Sequence, residues 1–314
     1  MAQLRACPVC HQHNASLLAQ PAQSPGPVSR CRNCGMVYVE TIQNARALIQ
    51  YGPVLQPGAD PKILTSADLE DVRGSWEFGS FPDPASEWPA LRRNAAEYLD
   101  QIERYTGLSE GHSRLFDFGS GWGIFLAAAQ QRGWLTRGLE PLPAASIFAR
   151  AAFGLDITTD TLREQTFPVD YFDAVTAFQV FEHLPDPQAD LLILHKILRR
   201  GGVLVIEVPC FKAWHLRLTG SRYRHFAPDH LNFFCCKTLN RLLADAGFEL
   251  LQHCHPCRRM SLSHLSRCWL RRYLPARLSN TLDALLKRLN WWDRTVGLNF
   301  GDIITVIGRK PSPA

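Results

Sequence analysis

The sequence predicts an α/β fold, with a mostly parallel sheet between helices, and a small metal-binding unit in front of it. From residue 114 onward, short apolar runs of strand length alternate with amphipathic segments of helix length, as in right-handed parallel crossovers. Two Cys-x2-Cys pairs lie near the first residue. With 314 residues, 46% of them hydrophobic, the chain can form one large domain and an appendage.

Composition and charge narrow the classes of function. No apolar run approaches the roughly 20 residues of a membrane-spanning helix, and the first residues lack the apolar segment of a signal peptide, so we expect a cytoplasmic protein. The net charge of +5 is too small to require a nucleic-acid partner and does not exclude one. Ten cysteines in a reducing compartment predict metal binding rather than disulfides.

Residues 1–40 are predicted to form a zinc ribbon. Two Cys-x2-Cys pairs lie 20 residues apart there, and each can present two thiolates from one tight turn. The predicted ligands are Cys7, Cys10, Cys31 and Cys34. Four thiolates leave no open position, so the zinc is expected to be structural; four ordinary buried thiols fit this spacing less well. A further pair, Cys254 and Cys257, has no partner pair near it in sequence and is expected to be ordinary thiols.

The remaining chain divides into a connector and a core. Residues 41–87, rich in Pro, Gly and Asp, are predicted to be the connector, and a helix follows from Trp88 to Tyr105. Core strands are predicted at 114–118, 135–139, 155–158, 172–178 and 203–208, with helices at 124–132, 142–153 and 186–199. A helix at 238–246 precedes strands at 248–254 and 302–308, which we expect to pair as an antiparallel hairpin.

The first core strand runs into a glycine-rich turn that opens a helix, a geometry that cradles nucleotide-like ligands. The turn contains Gly119, Gly121 and Gly123. The dinucleotide fingerprint would place its third glycine at Ile124, so a different cofactor is favoured. The next strand ends in Glu140, whose carboxylate can accept both hydroxyls of a ribose. Asp117 either bonds the amides of the turn or faces an ammonium group of the cofactor, and both interpretations remain open.

Five motifs follow one another between residues 116 and 204. They are Phe-Asp-Phe-Gly-Ser-Gly-Trp-Gly (116–123), Gly-Leu-Glu-Pro (138–141), Tyr-Phe-Asp-Ala-Val (171–175), Phe-Glu-His-Leu-Pro-Asp-Pro (181–187) and Leu-Arg-Arg-Gly-Gly-Val-Leu (198–204). In this order they resemble the class I S-adenosylmethionine-dependent methyltransferases, over about residues 90–255. The resemblance implies a Rossmann-like, doubly wound sheet of seven strands that binds S-adenosylmethionine.

The resemblance also implies roles for individual residues. The three glycines of the turn are expected near the methionine moiety of the cofactor, and Glu140 on its ribose. Residues Asp160 to Leu162 are expected near the adenine, and Gln179 and Val180 near the sulfonium.

Residues 223–234, Tyr-Arg-His-Phe-Ala-Pro-Asp-His-Leu-Asn-Phe-Phe, resemble ubiquinone-pathway O-methyltransferases and, together with the zinc ribbon, deoxysugar C-methyltransferases. In those sugar enzymes a Glu-His pair acts beside the acceptor, and Asp229 and His230 match it here. A hydroxyl or acidic C–H acceptor needs a base, so His230 is the first candidate and His225 the second. The alternative is that His230 only packs to hold a lid over the cofactor.

A basic segment, 258–294, interrupts the terminal hairpin, so the methyltransferase domain is predicted to comprise 88–257 and 295–314. The segment has nine Lys and Arg against two Asp. One predicted helical face carries Leu278, Leu282, Leu285, Leu286 and Leu289. Such an element either rests on an anionic membrane or covers a lipid-like acceptor, or it packs on the core with a solvated cationic side; packing on the core is favoured.

The sequence therefore predicts an enzyme that transfers a methyl group from S-adenosylmethionine to oxygen or carbon of a small-molecule or lipid-linked acceptor. Membrane contact would be peripheral, through residues 258–294. Two alternatives remain open. An RNA methyltransferase would use the ribbon and the basic segment for phosphate contacts, although the ribbon contains few basic residues. A non-catalytic interaction protein would bind the cofactor without turnover.

Overall fold

The computed structural model describes residues 4–22, 24–41, 87–107, 112–212, 219–220 and 223–312. The predicted connector lies outside them except for its two end residues. The strands are β1 (Ala15–Ala19), β2 (Val28–Cys31), β3 (Val37–Val39), β4 (Arg114–Phe118), β5 (Leu135–Leu139), β6 (Ile157–Thr158), β7 (Phe172–Phe178), β8 (Leu198–Pro209), β9 (Asn232–Phe233), β10 (Glu249–Cys254), β11 (Arg258–Ser261), β12 (Thr295–Leu298) and β13 (Ile303–Arg309). The longer helices are α1 (Trp88–Thr106), α2 (Ile124–Gln131), α3 (Pro143–Phe153), α4 (Pro187–Ile197), α5 (Cys236–Asp245) and α6 (Ala276–Arg288).

A seven-stranded sheet forms the core, in the order β10-β13-β8-β7-β4-β5-β6. The strands from β8 to β6 are parallel, whereas β13 runs antiparallel to both of its neighbours. The predicted doubly wound fold and the antiparallel terminal pair are therefore confirmed. The order of the parallel strands reverses between β4 and β7, so a crevice opens where their carboxyl ends meet, and ligands bind in such crevices.

Successive side chains of each strand point to opposite faces of the sheet, so the apolar residues of these buried strands form one layer on each face. Leu115 of β4 packs with Leu99 and Ile102 of α1 on one face. Its neighbour Phe116 packs on the other face, in the same cluster as Leu191 of α4. Fully burying such a side chain contributes roughly 1.5–3 kcal/mol, so these two layers hold the crevice rigid from both sides.

The boundary between α4 and β8 differs from the prediction. The helix ends at Ile197 and the strand begins at Leu198, five residues earlier than expected. The early part of β8 pairs irregularly, with a register shift opposite residues 172 to 174, and Gly201 in this stretch has a φ of 72°. Leu198 is therefore buried as a strand residue, whereas the sequence analysis placed it in the helix predicted at 186–199.

The N-terminal ribbon shares its sheet with the methyltransferase-like domain. Strands β1, β2 and β3 are antiparallel neighbours, and β3 pairs in turn with β9, which lies almost 200 residues further along the chain. Behind this sheet, Val28 and Val37 pack with Phe226 and Phe233. The pairing attaches the ribbon directly to residues 223–234, which we call the acceptor loop.

The basic segment forms a hairpin with a helical tip. Strands β11 and β12 pair, and short helical turns from 262 to 273 lead into α6. The predicted leucine face of α6 is only partly a packing face. Its fully buried residues are Ser279 and Asp283, Leu282 and Leu286 beside them are half-buried, and the other three leucines are exposed. Asp283 accepts a hydrogen bond from Arg271 at 2.6 Å, and this ion pair turns the polar side of the helix inward.

The outward side of α6 is correspondingly apolar. Leu278, Leu285 and Leu289 are each between 45% and 48% exposed. Among the residues that the structure describes, no helix combines the length and the apolar character that crossing a bilayer requires.

Candidate active site

The four ribbon cysteines lie together as the sequence predicts. The Sγ atoms of Cys7 and Cys34 are 3.5 Å apart, those of Cys10 and Cys31 are 3.4 Å apart, and all four lie within 4.8 Å of one another. A tetrahedron with Zn–S bonds of about 2.3 Å has sulfurs about 3.8 Å apart. The donor set and its spacing therefore fit Zn²⁺.

The thiol pKa values at this centre diverge. Burial raises the pKa of Cys34 to about 11, and it raises the pKa of Cys7 as well. Burial also acts on Cys31, but backbone N–H groups of Cys34 and Asn33 outweigh it and lower its pKa to about 7. Because zinc binds thiolates, loading this centre releases protons and tightens as the pH rises.

The glycine-rich turn follows β4, and each glycine has a positive φ, with values of 77°, 52° and 77° at Gly119, Gly121 and Gly123. A Cβ at Gly119 would lie 2.4 Å from Cγ2 of Val180, and a Cβ at Gly123 would lie 2.7 Å from Cβ of Ala149. At Gly121 a Cβ would meet nothing within 4 Å. The outer glycines are thus required by packing, whereas Gly121 borders open space in which a ligand can approach the backbone.

Glu140 ties this turn to the end of β5. Its carboxylate accepts hydrogen bonds from the backbone N–H of Gly121 at 2.7 Å and from that of Leu142 at 2.9 Å. Burial raises the pKa of Glu140, while the two amides and the nearby His183 act in the opposite direction. Each carboxylate oxygen keeps a further lone pair for a ligand hydroxyl, which is the arrangement that ribose binding needs.

Asp117 does not bond the amides of the turn. The N–H groups of Gly119 and Ser120 donate to the carbonyl oxygen of Leu139, at 2.8 and 3.0 Å. The carboxyl of Asp117 instead accepts a hydrogen bond from the hydroxyl of Thr176 at 2.6 Å, and burial raises its pKa to about 7. Of the two interpretations from sequence, the one in which Asp117 holds the turn is wrong, and an ammonium partner stays a prediction.

Gln179 and Val180 lie at the carboxyl end of β7. Gln179 has a φ of 58°, which is uncommon outside glycine, and this bend sets Val180 against Gly119. Its side-chain amide donates to Glu207 at 3.1 Å. The sequence analysis missed Glu207. The feature that could have identified it is that Glu207 is the single charged residue inside the apolar run of β8.

Glu207 is the centre of a buried polar group at the carboxyl end of β8, where it is 2% exposed. It accepts hydrogen bonds from the hydroxyls of Tyr98 and of Thr305, and the Arg258 guanidinium lies 3.9 Å away. The pKa of Tyr98 is raised, chiefly by burial and then by the negative charge of Glu207. These contacts fix the amide of Gln179 beside the turn.

The structure leaves Asp160 and Leu162 at the edge of the site. Leu162 is 3% exposed and packs in the core, whereas Asp160 is exposed and accepts a hydrogen bond from Gln165 at 2.8 Å. Thr161 and Glu164 form a capping box for the short helical turn that begins at Leu162. Their place near an adenine stays a prediction.

Three histidines converge on the acceptor side. The rings of His183 and His230 are 4.9 Å apart edge to face, and those of His225 and His230 are stacked at 6.3 Å. Nδ1 of His183 lies 3.0 Å from the backbone carbonyl oxygen of Asp229 and 3.3 Å from its carboxylate. The carboxylate of Glu182 is buried here, which raises its pKa to about 7, and it has no hydrogen-bond partner among the described residues.

The environments of His225 and His230 differ. Burial lowers the pKa of His230 well below the usual value, and His183 and His225 lower it further, so its imidazole is neutral near pH 7. Its Nδ1 has no hydrogen-bond partner in the described part of the chain. Nε2 of His225 accepts a hydrogen bond from Arg224 at 3.0 Å and faces Asp302 at 3.6 Å. A lone pair that is occupied in this way makes His225 the poorer base.

The ribbon holds the acceptor loop in place through Arg5. Its guanidinium donates to the carbonyl oxygen of Val39 at 3.1 Å, to the side chain of Asn232 at 2.9 Å and to the carbonyl oxygen of Pro185 at 2.7 Å. Asn232 in turn donates to the carbonyl oxygens of Phe181 and Leu184. The loop that carries His230 is therefore clamped between the ribbon and residues 181–185, and sequence reasoning missed this clamp.

Comparisons with known proteins agree with this geometry. Residues 90–253 match a family model described as a methyltransferase domain. The ubiquinone biosynthesis O-methyltransferase of Psychrobacter arcticus is 31% identical over 156 residues, which are 43% of this chain and 58% of that protein. The enzyme of the same name from an Azoarcus species is 28% identical over 202 residues, 60% of this chain and 85% of that protein. The chain thus spans little more than half of the first relative and most of the second.

Solved structures agree on the fold. The YcgJ protein of Bacillus subtilis superposes with a TM-score of 0.50 at 14% identity, covering 70% of this chain and 99% of that one. At this identity the likeness concerns the fold alone.

Proposed function

The chain belongs to the methyltransferase domain family, and we propose that it transfers the methyl group of S-adenosylmethionine to a hydroxyl of a small-molecule or lipid-linked acceptor. The observation that carries the choice of acceptor is the imidazole of His230, which lies 4.9 Å from the ring of His183, is kept neutral by burial, and has no hydrogen-bond partner at Nδ1 among the described residues. Relatives named for O-methylation support oxygen as the acceptor atom, and carbon remains the second choice.

The cofactor supplies an electrophilic methyl group, which an acceptor oxygen attacks in line. The protein then has to fix distance and angle and to remove a proton. In this proposal, Gly121 and Glu140 bind the cofactor at the end of β4 and β5, and Gln179 and Val180 border its sulfonium. The imidazole of His230 accepts the proton of the acceptor hydroxyl, and Asp229 positions the neighbouring His183. Arg224 donates to His225 and forms an ion pair with Asp302 at 3.0 Å, which holds the far side of the loop.

The ribbon zinc is proposed to be structural. Four thiolates complete its coordination, so no position remains for a substrate. In this proposal the metal fixes β3. Because β3 pairs with β9, the metal also fixes the position of the acceptor loop.

Labelled cofactor tests the class of acceptor. The full chain is incubated with S-adenosylmethionine carrying a labelled methyl group and with a fractionated cell extract, and Glu140→Ala serves as the cofactor-binding control. We expect label in the lipid or small-molecule fraction with the unmodified chain and a loss of more than about 10-fold with Glu140→Ala. Label that enters only an RNA fraction and disappears with ribonuclease would establish the RNA methyltransferase instead. A complete absence of transfer would support the non-catalytic interpretation.

The role of His230 has its own test with the acceptor so identified. We expect His230→Gln to lower kcat by about 10²- to 10⁴-fold while the affinity for S-adenosylmethionine changes little, because general bases contribute about this much. His253→Gln, at an exposed histidine of β10, is the matched control. Full turnover of His230→Gln would reduce His230 to a packing role.

A lipid-linked acceptor is favoured by the exposed face of α6. Beside its outward leucines, Trp291 is 42% exposed and lies under the guanidinium of Arg294 at 5.2 Å. Lys287 lies 4.8 Å from the ring of Trp292. Apolar side chains flanked by cations suit the surface of an anionic bilayer, so we propose that this face gives the enzyme access to acceptors held in a membrane.

Vesicle sedimentation tests this surface. We expect the chain to sediment with vesicles of phosphatidylglycerol and phosphatidylcholine, and the double variant Leu285→Glu/Leu289→Glu to bind more than about 10-fold more weakly. Leu192→Glu, at a leucine of α4 that is 49% exposed, is the control for adding charge elsewhere. Equal sedimentation of all three proteins would remove the membrane from the proposal.

A further inference from the structure

Three metal-ligating side chains meet at one end of the large sheet, in addition to the four cysteines of the ribbon. Cys210 directly follows β8, Cys236 is the first residue of α5, and His255 directly follows β10. One ligand atom from each lies within 4.8 Å of the others. His255 lies inside the Cys-x2-Cys pattern of residues 254–257, which has no partner pair near it in sequence. The fold instead brings the thiols of Cys210 and Cys236 to His255 from elsewhere in the chain.

Hydrogen bonds to the backbone hold two of these residues, Cys210 and His255, beside the start of β13. The N–H of Cys210 donates to the carbonyl oxygen of Asp302 at 2.7 Å, and the side chain of Asn299 donates to the carbonyl oxygen of His255 at 2.8 Å. Nδ1 of His255 lies 2.6 Å from the carbonyl oxygen of Ile303. Because a carbonyl only accepts, Nδ1 carries the proton and the lone pair of the neutral ring is on Nε2. A histidine that binds a metal is commonly oriented by a hydrogen bond of this kind.

The chemistry of the three donors selects the metal. Thiolate and imidazole ligands suit Zn²⁺, whereas Mg²⁺ and Ca²⁺ require oxygen ligands. Cys210 is 1% exposed, and Cys236 lies in the first turn of a ten-residue helix, where the helix dipole stabilises a thiolate. Three protein donors also leave a fourth tetrahedral position for water.

We propose that Cys210, Cys236 and His255 bind a second Zn²⁺, separate from the ribbon zinc. The metal joins the ends of β8, α5 and β10. Phe211, next to Cys210, donates its backbone N–H to the carbonyl oxygen of Phe234 at 2.6 Å. The second zinc therefore holds the last residue of the acceptor loop, directly after the strand that pairs with β3 of the ribbon. The proposal concerns metal binding alone and is independent of which acceptor is methylated.

Metal content is the direct test. The full chain is loaded with Zn²⁺ under reducing conditions, dialysed against metal-free buffer, and analysed for zinc per chain by mass spectrometry. We expect two equivalents in the unmodified chain and one in each of Cys210→Ser, Cys236→Ser and Cys31→Ser. The control Cys257→Ser removes an exposed thiol of the same region and should retain two. One equivalent in the unmodified chain, unchanged by Cys210→Ser and Cys236→Ser, would overturn the proposal.

Cobalt distinguishes the two centres and guards against misfolded variants. With Co²⁺ as the probe, the ribbon centre has four thiolate ligands and the second centre has two, so their thiolate-to-cobalt absorption should differ about two-fold. We expect His255→Gln, which keeps all cysteines, to lose the weaker spectrum and to keep the ribbon spectrum. Retention of both spectra in His255→Gln and Cys236→Ser, or a Cys210–Cys236 disulfide in a folded chain with one zinc, would exclude the site.

Discussion

The cofactor side of the active site is built from one continuous stretch of chain, whereas the acceptor side is assembled from segments far apart in sequence. Gly121, Glu140 and Gln179 follow β4, β5 and β7, which are neighbours in the parallel sheet. By contrast, the loop that carries His230 is held by Arg5 near the start of the chain and by β3 of the ribbon. The difference implies that damage to the ribbon should spare cofactor binding and abolish transfer.

The largest expected effect comes from breaking the ribbon. Structural zinc binding is worth about 10–16 kcal/mol of folding free energy, so Cys31→Ser should lose the metal and the order of β3. We expect methyl transfer to fall more than about 100-fold, because β9 loses its partner strand, while the dissociation constant of S-adenosylmethionine changes less than about 3-fold. Isothermal titration and a transfer assay measure the two quantities on one preparation.

The contrast between the two sides fails if the rate of methyl transfer and the affinity for S-adenosylmethionine fall together. An equal loss of cofactor affinity in Cys31→Ser would show that the ribbon supports the whole domain rather than the acceptor side. Cys257→Ser controls for loss of an exposed thiol outside the ribbon.

The next effect tests the cofactor side through Gly121. Its φ of 52° makes any side chain there cost about 1–2 kcal/mol, and a bulky one would also fill the open space beside the turn. We expect Gly121→Leu to weaken S-adenosylmethionine binding more than about 10-fold.

Gly154 provides a matched control for this variant. It has a φ of 65° at the end of α3, and a Cβ there would also meet nothing within 4 Å. Gly154→Leu should therefore lose similar thermal stability and keep cofactor affinity. Equal affinity losses in the two variants would mean that strain alone, and not a ligand beside Gly121, explains the result.

The clamp by Arg5 should have a moderate effect on the acceptor side only. Each of its hydrogen bonds is worth about 1 kcal/mol, so we expect Arg5→Ala to lower kcat about 3- to 10-fold at an unchanged KM for S-adenosylmethionine. Arg5→Lys should rescue little, because a single ammonium group does not reproduce the planar fork that bridges three acceptors. Arg32→Ala, at an exposed ribbon position, is the control, and a similar loss there would assign the effect to ribbon stability.

The same contrast explains what could be predicted from the sequence. The parallel crossovers, the glycine turn and Glu140 follow from strands, helices and turns that are local in the chain, and the ribbon cysteines follow from their spacing. Strand β9 has only two residues and no periodicity of its own, so its pairing with β3 leaves no local pattern.

The error at α6 has a related cause. Its leucines share one helical face, and that pattern normally marks a packed surface. The structure packs the adjacent polar side, because Asp283 forms its ion pair with Arg271 across a turn whose geometry the sequence does not reveal, and only Leu282 and Leu286 of the five leucines are half-buried. Periodicity identifies an apolar face correctly but does not say what covers it.

The smallest expected effect is a flat pH profile on the acceptor side. Because the pKa of His230 is lowered well below 6.5, its base form should persist as the pH falls, and kcat/KM should change less than about 2-fold between pH 7.5 and 6.0. A histidine with an ordinary pKa of about 6.5 would be only about one quarter neutral at pH 6.0, which would give a roughly 4-fold loss.

The groups that face His230 set the direction of this prediction. Burial lowers the pKa of His230 most, and His183, His225 and Arg224 lower it further through like charge. The Glu182 carboxylate nearby has a pKa that burial raises to about 7. As the pH falls below 7, Glu182 gains a proton and stops favouring the charged imidazole, so His230 stays neutral. Glu182→Gln should keep the profile flat. The opposite outcome is a fall of kcat/KM near pH 6.5 in the unmodified enzyme that disappears in His230→Gln. It would show that His230 is exposed to water, and that the acceptor loop is less tightly held than the cofactor side.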